Sequence, residues 1–328
     1  MTDRLRALGA AALGVGLVGL AGCPDDPPDP GDPAEHLPLP DLSGVDLEAS
    51  VLDAVDRLAA TTHRALWAGH VGTFAGAELG CPRLWAGGVP DIEMEDGFGW
   101  QDDCASGDWT FLGATGWEST VEADGSGSRT LEGSATVRRQ GEAVLQLLGR
   151  GEDQQESADD GATWVYSSLV EGEVSGSGVV DPTLGAILGG WRGVADVSWT
   201  GGARWTFSAD ANVTWPEAPL AGGFDAVDAA VSIAGPGTQA ACTDEPVGRI
   251  SLRLAPGEWV DVQFASVDPD DEDAVLDCDG CGEATVRGLP VGTVCPDFSP
   301  LWSEARLPRT PLADFVFTVR DQDLEDRL

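Results

Sequence analysis

The chain contains no lysine, so arginine supplies all of its positive charge. Only 18 basic residues stand against 56 acidic ones, which gives a formal net charge of −38. A surface this negative repels the phosphates of nucleic acids and anionic lipid headgroups, so we predict that nucleic acid is not a partner. High charge is common in disordered chains, but 42% hydrophobic residues and 12 tryptophans indicate a folded core.

Histidine is also scarce, and the three present are His36, His63 and His70. His63 and His70 lie about two helical turns apart, which is too far for one helix to present both to a single metal ion. The chain has no Gly-x-Ser-x-Gly turn, no His-Glu-x-x-His pair and no phosphate-binding loop. We therefore predict no cofactor and no assignable catalytic residue, and a non-enzyme is the simpler interpretation.

The apolar run near the N-terminus is too short to span a membrane. Arg4 and Arg6 precede an uncharged stretch, rich in alanine, leucine and glycine, from Ala7 to Leu20. Its 14 residues fall below the roughly 20 that a transmembrane helix needs. The run is typical of a secretory signal peptide, and we predict that residues 1–22 are removed on export.

The run ends in Leu20-Ala21-Gly22-Cys23, which resembles a bacterial lipobox. The resemblance to bacterial lipoproteins implies that a diacylglyceryl group is attached to the Cys23 sulfur and that cleavage follows just before Cys23. It also implies a cell-envelope location, in which acyl chains such as palmitate hold the exported chain to the inner or outer membrane. The membrane is then a partner through this anchor. The alternative is a plain secretory signal, with Cys23 in a disulfide.

Residues 23–42 differ in composition from the rest of the chain, because proline and aspartate dominate their first half. Proline favours extended backbone and the aspartates repel one another. We interpret this segment as a stiff, solvated tether. The folded, β-rich part is predicted to be residues 43–328.

The folded part is predicted to start with a helix. Apolar residues recur every three or four positions from Leu47 to Leu66, and charged residues occupy the opposite side. Ser43 and Asp46 have the spacing of a capping box, with aspartate in place of the usual glutamate. These features predict one amphipathic helix over roughly 44–68.

Beyond about residue 105, apolar residues recur at every second position. In segment 205–215, the clearest case, six apolar residues alternate with five polar ones. Short turns rich in glycine, aspartate and serine favour antiparallel pairing of about ten to twelve strands. The predicted fold class is mainly β: an antiparallel β-sandwich or strongly curved sheet with one N-terminal amphipathic helix. A break near Pro236 would make 236–328 a cysteine-rich lobe. Shorter segments in which apolar and polar residues alternate occur at 131–137, 250–254, 260–264 and 315–319.

Cysteine usage agrees with export to an oxidising compartment. Beyond Cys23 an even number remains, which predicts three disulfides. Cys81 and Cys104 are isolated from the rest, so we predict that they pair. The other four allow three connectivities, although a hairpin with arms at 283–287 and 291–295 would bring Cys295 near Cys281 or Cys278. The six are Cys81, Cys104, Cys242, Cys278, Cys281 and Cys295.

Two further features, a close pair of cysteines and an acidic run, each allow a specific functional interpretation. The Cys278–Cys281 spacing also occurs in redox motifs and zinc sites, but the preceding acidic run opposes a low thiol pKa and the partner cysteines stand alone. The densest acidic run provides weak calcium candidates, although a helix-loop-helix calcium loop needs glycine where Asp273 stands. These candidates are Asp268, Asp270, Asp271 and Asp273.

Three hypotheses on function follow. The preferred one is a non-enzymatic envelope lipoprotein with a structural or interaction role, whose partner is an envelope protein or a glycan. The second is a glycan- or calcium-binding β-module, in which some of the tryptophans face outward and stack on sugar rings. The third is a secreted hydrolase with an unrecognised site, because paired carboxylates give no usable signal among so many acids.

Overall fold

A computed structural model gives the architecture of the chain. The predicted signal peptide, most of the predicted tether and the predicted strand at 315–319 lie outside the residues that it describes. Contacts divide the chain into the units Met1–Pro40 and Asp41–Leu328, and every element named below belongs to the second. The described residues are 38–61, 66, 69–70, 72–74, 80–86, 98–122, 126–158, 163–176, 190–202, 204–216, 218–234, 245–254, 257–265 and 279–302.

Helix α1 spans Leu47–Ala60, and Asp46 is its N-cap. The Asp46 carboxylate accepts a hydrogen bond of 3.0 Å from the backbone N–H of Ala49, which satisfies one of the free donors of the first turn. The backbone N–H of Ser43 is instead bonded to Asp41. The predicted capping box is therefore wrong, because the aspartate is itself the cap.

Helix α1 ends before the predicted residue 68, although the described residues Leu66, Gly69, His70 and Gly72 are helical again. The backbone N–H of Thr61 donates to the carbonyls of Arg57 and Leu58, and its hydroxyl donates to the Arg57 carbonyl at 2.7 Å. A threonine that bonds back to the preceding turn competes with continuation of the helix. The apolar side of α1 is buried as predicted, through Val51, Ala54, Val55 and Leu58.

Fourteen strands follow α1 in the described ranges, and all of them join one antiparallel sheet. The order is β1-β2-β4 and then sequential to β14, with β3 paired to β4. The mainly β, antiparallel fold with one N-terminal helix is therefore confirmed. The strands are β1 Leu84–Ala86, β2 Phe98–Gln101, β3 Cys104–Ser106, β4 Trp109–Val121, β5 Gly127–Arg139, β6 Glu142–Ala158, β7 Thr163–Ser175, β8 Trp191–Gly201, β9 Thr206–Thr214, β10 Phe224–Ala234, β11 Pro246–Leu254, β12 Glu258–Gln263, β13 Gly282–Val286 and β14 Leu289–Val294.

The sheet is curved around α1. If flat, the path from β1 to β14 would be roughly 58 Å wide, from twelve spacings of about 4.8 Å, whereas α1 is only about 21 Å long. Yet the buried residues of α1 and those of strands from β2 to β14 belong to one hydrophobic cluster. Pairing does not close the path between β1 and β14 in the part of the chain that the structure describes.

Strand β9 illustrates how the sequence pattern produces this core. The apolar residues Phe207, Ala209, Ala211 and Val213 are buried, and the intervening polar residues are exposed or half-exposed. Trp215, just beyond the strand, is fully buried. The strand predicted over 205–215 is therefore confirmed, and the same alternation gives the neighbouring strands one buried and one wet face.

The described part of the chain has no helix of the length and apolar character that crossing a bilayer requires.

Candidate functional site

Two of the predicted disulfides are present. Cys81 and Cys104 are bonded, as predicted, with their Cα atoms 5.9 Å apart. Cys281 is bonded to Cys295. Strands β13 and β14 form the predicted antiparallel hairpin, which brings these two cysteines together.

The other predicted site residues lie outside the described ranges. They are the lipidation site, two cysteines and the calcium candidates: Cys23, Cys242, Cys278, Asp268, Asp270, Asp271 and Asp273. Among the described residues, no group of three or more His, Cys, Asp or Glu side chains is arranged to hold a metal ion.

We predict that Cys242 pairs with Cys278, because the other four cysteines beyond Cys23 are already bonded. The backbone N–H of Gly280 donates to the Glu245 carboxylate at 2.8 Å, so the described residues next to both cysteines lie close together. Mass spectrometry of unreduced peptides should find the two linked. A free thiol at either position, or a bond from either to Cys281 or Cys295, would contradict the prediction.

A groove of about 1240 Å³ crosses the solvent-exposed face of strands β4–β8. It spans five strands, or roughly 19 Å at about 4.8 Å per spacing. Residues on either side of the Cys81–Cys104 disulfide form one end of it, namely Arg83 and the segment 101–103. Asp103 ties that end to β4, because its carboxylate accepts a hydrogen bond of 3.0 Å from the Gly113 N–H.

Glycine backbone forms the floor of the groove. Four glycines are register partners on β5–β8, so they lie in one row across the sheet. A Cβ at Gly172 would lie 2.3 Å from the Leu148 carbonyl oxygen, and one at Gly193, where φ is +149°, would lie 2.1 Å from that of Asn212. Only glycine allows backbones to approach this closely. The row consists of Gly133, Gly149, Gly172 and Gly193.

Replacing a floor glycine should destabilise the sheet. We expect Gly172→Ala to lower the free energy of unfolding by about 1–3 kcal/mol, because the new methyl overlaps backbone that cannot rotate away. Guanidinium chloride denaturation measures the change. Gly292→Ala on β14 is the control, since a Cβ there meets nothing within 4 Å. Equal unfolding midpoints for the two variants would show that the floor does not need glycine.

Side chains of mixed charge stand in two rows beside the floor, and the members of each row are register partners on adjacent strands β5–β8. The first row, here called row A, consists of Glu132, Arg150, Glu171 and Val194. The second, row B, consists of Ser134, Leu148, Glu173 and Arg192. The two rows project from residues two apart on each strand, so their Cα atoms are separated by about 6.8 Å.

The charges of the groove are accessible. Arg150 Nη2 lies 3.1 Å from Glu171 Oε2, but the two side chains are 75% and 55% exposed. An ion pair this exposed contributes little to stability and rearranges at little cost. Glu132, Glu173 and Arg192 make no ion pair with any residue that the structure describes. A bound molecule can therefore pair with these charges without first breaking a strong internal contact.

Aliphatic side chains interrupt the polar face beside the groove. Leu148 is 59% exposed in row B and Val194 is 43% exposed in row A. Leu169 lies next to row A on β7 and is 50% exposed, and Val165 continues the same strand. The outward positions of a half-buried strand are normally polar. Leu148, Leu169 and Val194, on the adjacent strands β6–β8, depart from that pattern.

The tryptophans that the structure describes lie outside the groove. Trp100, Trp191, Trp199 and Trp215 are fully buried. Trp259 is half-buried, with the Arg253 guanidinium 5.8 Å from its ring centroid.

None of the groove residues was predicted from the sequence. A signal was present, because Gly149 and Gly172 interrupt the middle of long strands, and a glycine there marks a bend or a close backbone approach. Leu169 also occupies an outward position of β7. Neither signal becomes a site until the strand register brings the glycines into one row.

Comparison of the chain with known proteins finds no matching family model, no similar curated sequence and no similar solved structure.

Proposed function

We propose that this chain is a lipid-anchored protein of the cell envelope with a non-enzymatic interaction role, and that the groove on β4–β8 is its binding surface. The observation that carries this proposal is the exposure of Leu148 and Val194 beside a floor of glycine backbone, with the exposed Leu169 next to row A. Exposed aliphatic side chains lower the solubility of a protein unless a partner covers them.

The lipobox at Leu20–Cys23 supports the anchor, and the two disulfides support export, because such bonds persist in oxidising compartments. Mass spectrometry of the natural product tests the anchor. The expected first residue is Cys23, carrying a diacylglyceryl thioether. Retention of residues 1–22, or an unmodified Cys23 sulfur, would exclude it.

The groove has the composition of a contact surface. Its aliphatic residues gain about 25 cal/mol per Å² of apolar area that a partner removes from water. Its charges lie beside them and are positioned to select the partner and fix its orientation. The floor and both rows belong to paired strands, so little ordering entropy is lost when a partner binds.

Recovery of partners from the native, anchored protein after mild crosslinking tests the interaction role. The double variant Leu148→Ser/Val194→Ser removes the two aliphatic side chains of the rows. Leu289→Ser, which is 52% exposed on β14, is the matched control. We expect a partner to be recovered with the wild type and the control and lost with the double variant. The same recovery from all three proteins would show that the groove is not the binding surface.

A further inference from the structure

We infer that the occupant of the groove is an extended polypeptide segment that presents basic and aliphatic residues on both of its sides. This inference rests on the proposed function, since it names the partner class of the same groove. The groove provides three kinds of contact for such a segment: unpaired carboxylates, aliphatic side chains next to them, and a narrow floor that admits a single extended strand.

The carboxylates outnumber the cations among the groove residues. Glu132, Glu173 and Glu171 stand in the two rows, and Asp102 and Asp103 close one end, against three arginines. One of these arginines, Arg150, is already paired with Glu171. The chain as a whole carries a net charge of −38. An acidic occupant would be repelled at long range, whereas a basic one is attracted and then pairs with Glu132 and Glu173.

The aliphatic side chains are interleaved with these carboxylates. Leu148 is the register partner of Glu173, and Val194 is the register partner of Glu171. Each aliphatic contact therefore lies one strand, about 4.8 Å, from a carboxylate. A ligand that carried charge alone would leave Leu148 and Val194 in water. An occupant with both basic and aliphatic side chains satisfies both kinds of contact.

The dimensions of the groove favour an extended segment. The floor is a straight row of four residues, roughly 14 Å long from three spacings of about 4.8 Å, which matches about four residues of an extended segment at about 3.3 Å per residue. Rows A and B are about 6.8 Å apart, as on any sheet face, and the side chains of an extended segment point to two sides only, whereas those of an α-helix about 10 Å in diameter point in all directions. The floor positions alternate with rows A and B along each strand, so no side chain projects from the floor into the groove.

A binding measurement on the full-length mature lipoprotein in detergent micelles tests the inference. The probe is a fluorescein-labelled octapeptide of repeating Arg-Arg-Val-Val, which presents both residue types on each side of an extended segment, and its anisotropy is followed in low salt. Peptides of the same pattern with glutamate in place of arginine, or with serine in place of valine, are the comparison probes. We expect the arginine–valine peptide to bind at least about tenfold more tightly than either. Equal or tighter binding of the glutamate–valine or the arginine–serine peptide would overturn the inference.

Two matched double variants separate a site from general charge attraction. Glu171→Gln/Glu173→Gln removes two charges from the groove, and Glu142→Gln/Glu283→Gln removes two exposed charges on β6 and β13 that are not groove residues. We expect the groove variant to weaken binding of the arginine–valine peptide about tenfold and the control to leave it within about twofold. Equal weakening by both variants would show attraction to net charge and overturn the inference.

The peptide measurements and the partner recovery together distinguish a failure of this inference from a failure of the proposed function. If the native protein loses its crosslinked partner in Leu148→Ser/Val194→Ser but no probe peptide binds, the groove is a binding surface and its occupant is of another class. If the partner recovery is unaffected as well, the proposed function fails with the inference.

Discussion

Replacing Asp153 by alanine should lower the free energy of unfolding by about 3–5 kcal/mol. Asp153 is 1% exposed on β6, and the Nε of Arg129, itself 4% exposed on β5, lies 2.9 Å from its carboxylate. The Arg129 Nη2 also donates to the second carboxylate oxygen, which makes the pair bidentate. Alanine at 153 leaves a guanidinium buried without its counter-ion, and this penalty dominates the cost.

Tyr166 adds to the same penalty. Its hydroxyl donates to the Asp153 carboxylate at 2.9 Å. Burial, and then the negative charge of Asp153, raise the pKa of Tyr166 well above its usual value, so the hydroxyl stays protonated. Without the carboxylate, this buried donor also loses its acceptor.

Denaturant unfolding of three variants measures the effect. Asp228→Ala is the control, because its pair with Arg249 is 39–49% exposed and 3.5 Å long, and it should cost under about 1 kcal/mol. Arg129→Met/Asp153→Leu should recover most of the loss, because it removes both buried charges. A loss below about 1 kcal/mol for Asp153→Ala would mean that water reaches the pair.

Removing the Cys81–Cys104 disulfide should cost about 3 kcal/mol. The bond closes a loop with a sequence separation of 23, and in the chain-entropy model the cost is that of the freedom restored to the unfolded chain. It should also loosen one end of the groove, because Arg83 and Asp103 lie next to the bonded cysteines. Denaturant unfolding of the double variant Cys81→Ser/Cys104→Ser measures the loss in the free energy of unfolding.

Cys281→Ser/Cys295→Ser is the matched comparison, because it removes the second disulfide of the described residues, whose cysteines are not groove residues. Its loop is shorter, with a sequence separation of 14, so the expected loss is slightly smaller. Only the Cys81 variant should also weaken binding in the groove. Losses under about 1 kcal/mol for both would show that packing alone holds these loops.

The elements of the fold were predictable where one periodicity dominates the sequence. The apolar alternation of β9 and the apolar side of α1 both follow from burial of one face. The ends of α1 were not predictable, because Asp46 and Ser43 are both good caps and only the folded contacts select one. The single continuous sheet also depends on register, which no local pattern specifies.

The groove could not be predicted from the sequence. Gly133, Gly149, Gly172 and Gly193 come from four different strands, and their alignment depends on the length of every intervening hairpin. The register that pairs Leu148 with Glu173 also depends on hairpin length. The sequence alone predicts that strands exist, whereas which outward side chains become neighbours is a property of the pairing.

The central claim is that a partner lies in the groove when the protein is in its native envelope. Photo-crosslinking tests it most directly, with a benzophenone residue placed at Ser134, which is exposed in row B, or at Ala230, which is exposed on β10. We expect a discrete adduct from position 134 and none from position 230. No adduct from position 134, or the same adducts from both positions, would contradict the claim.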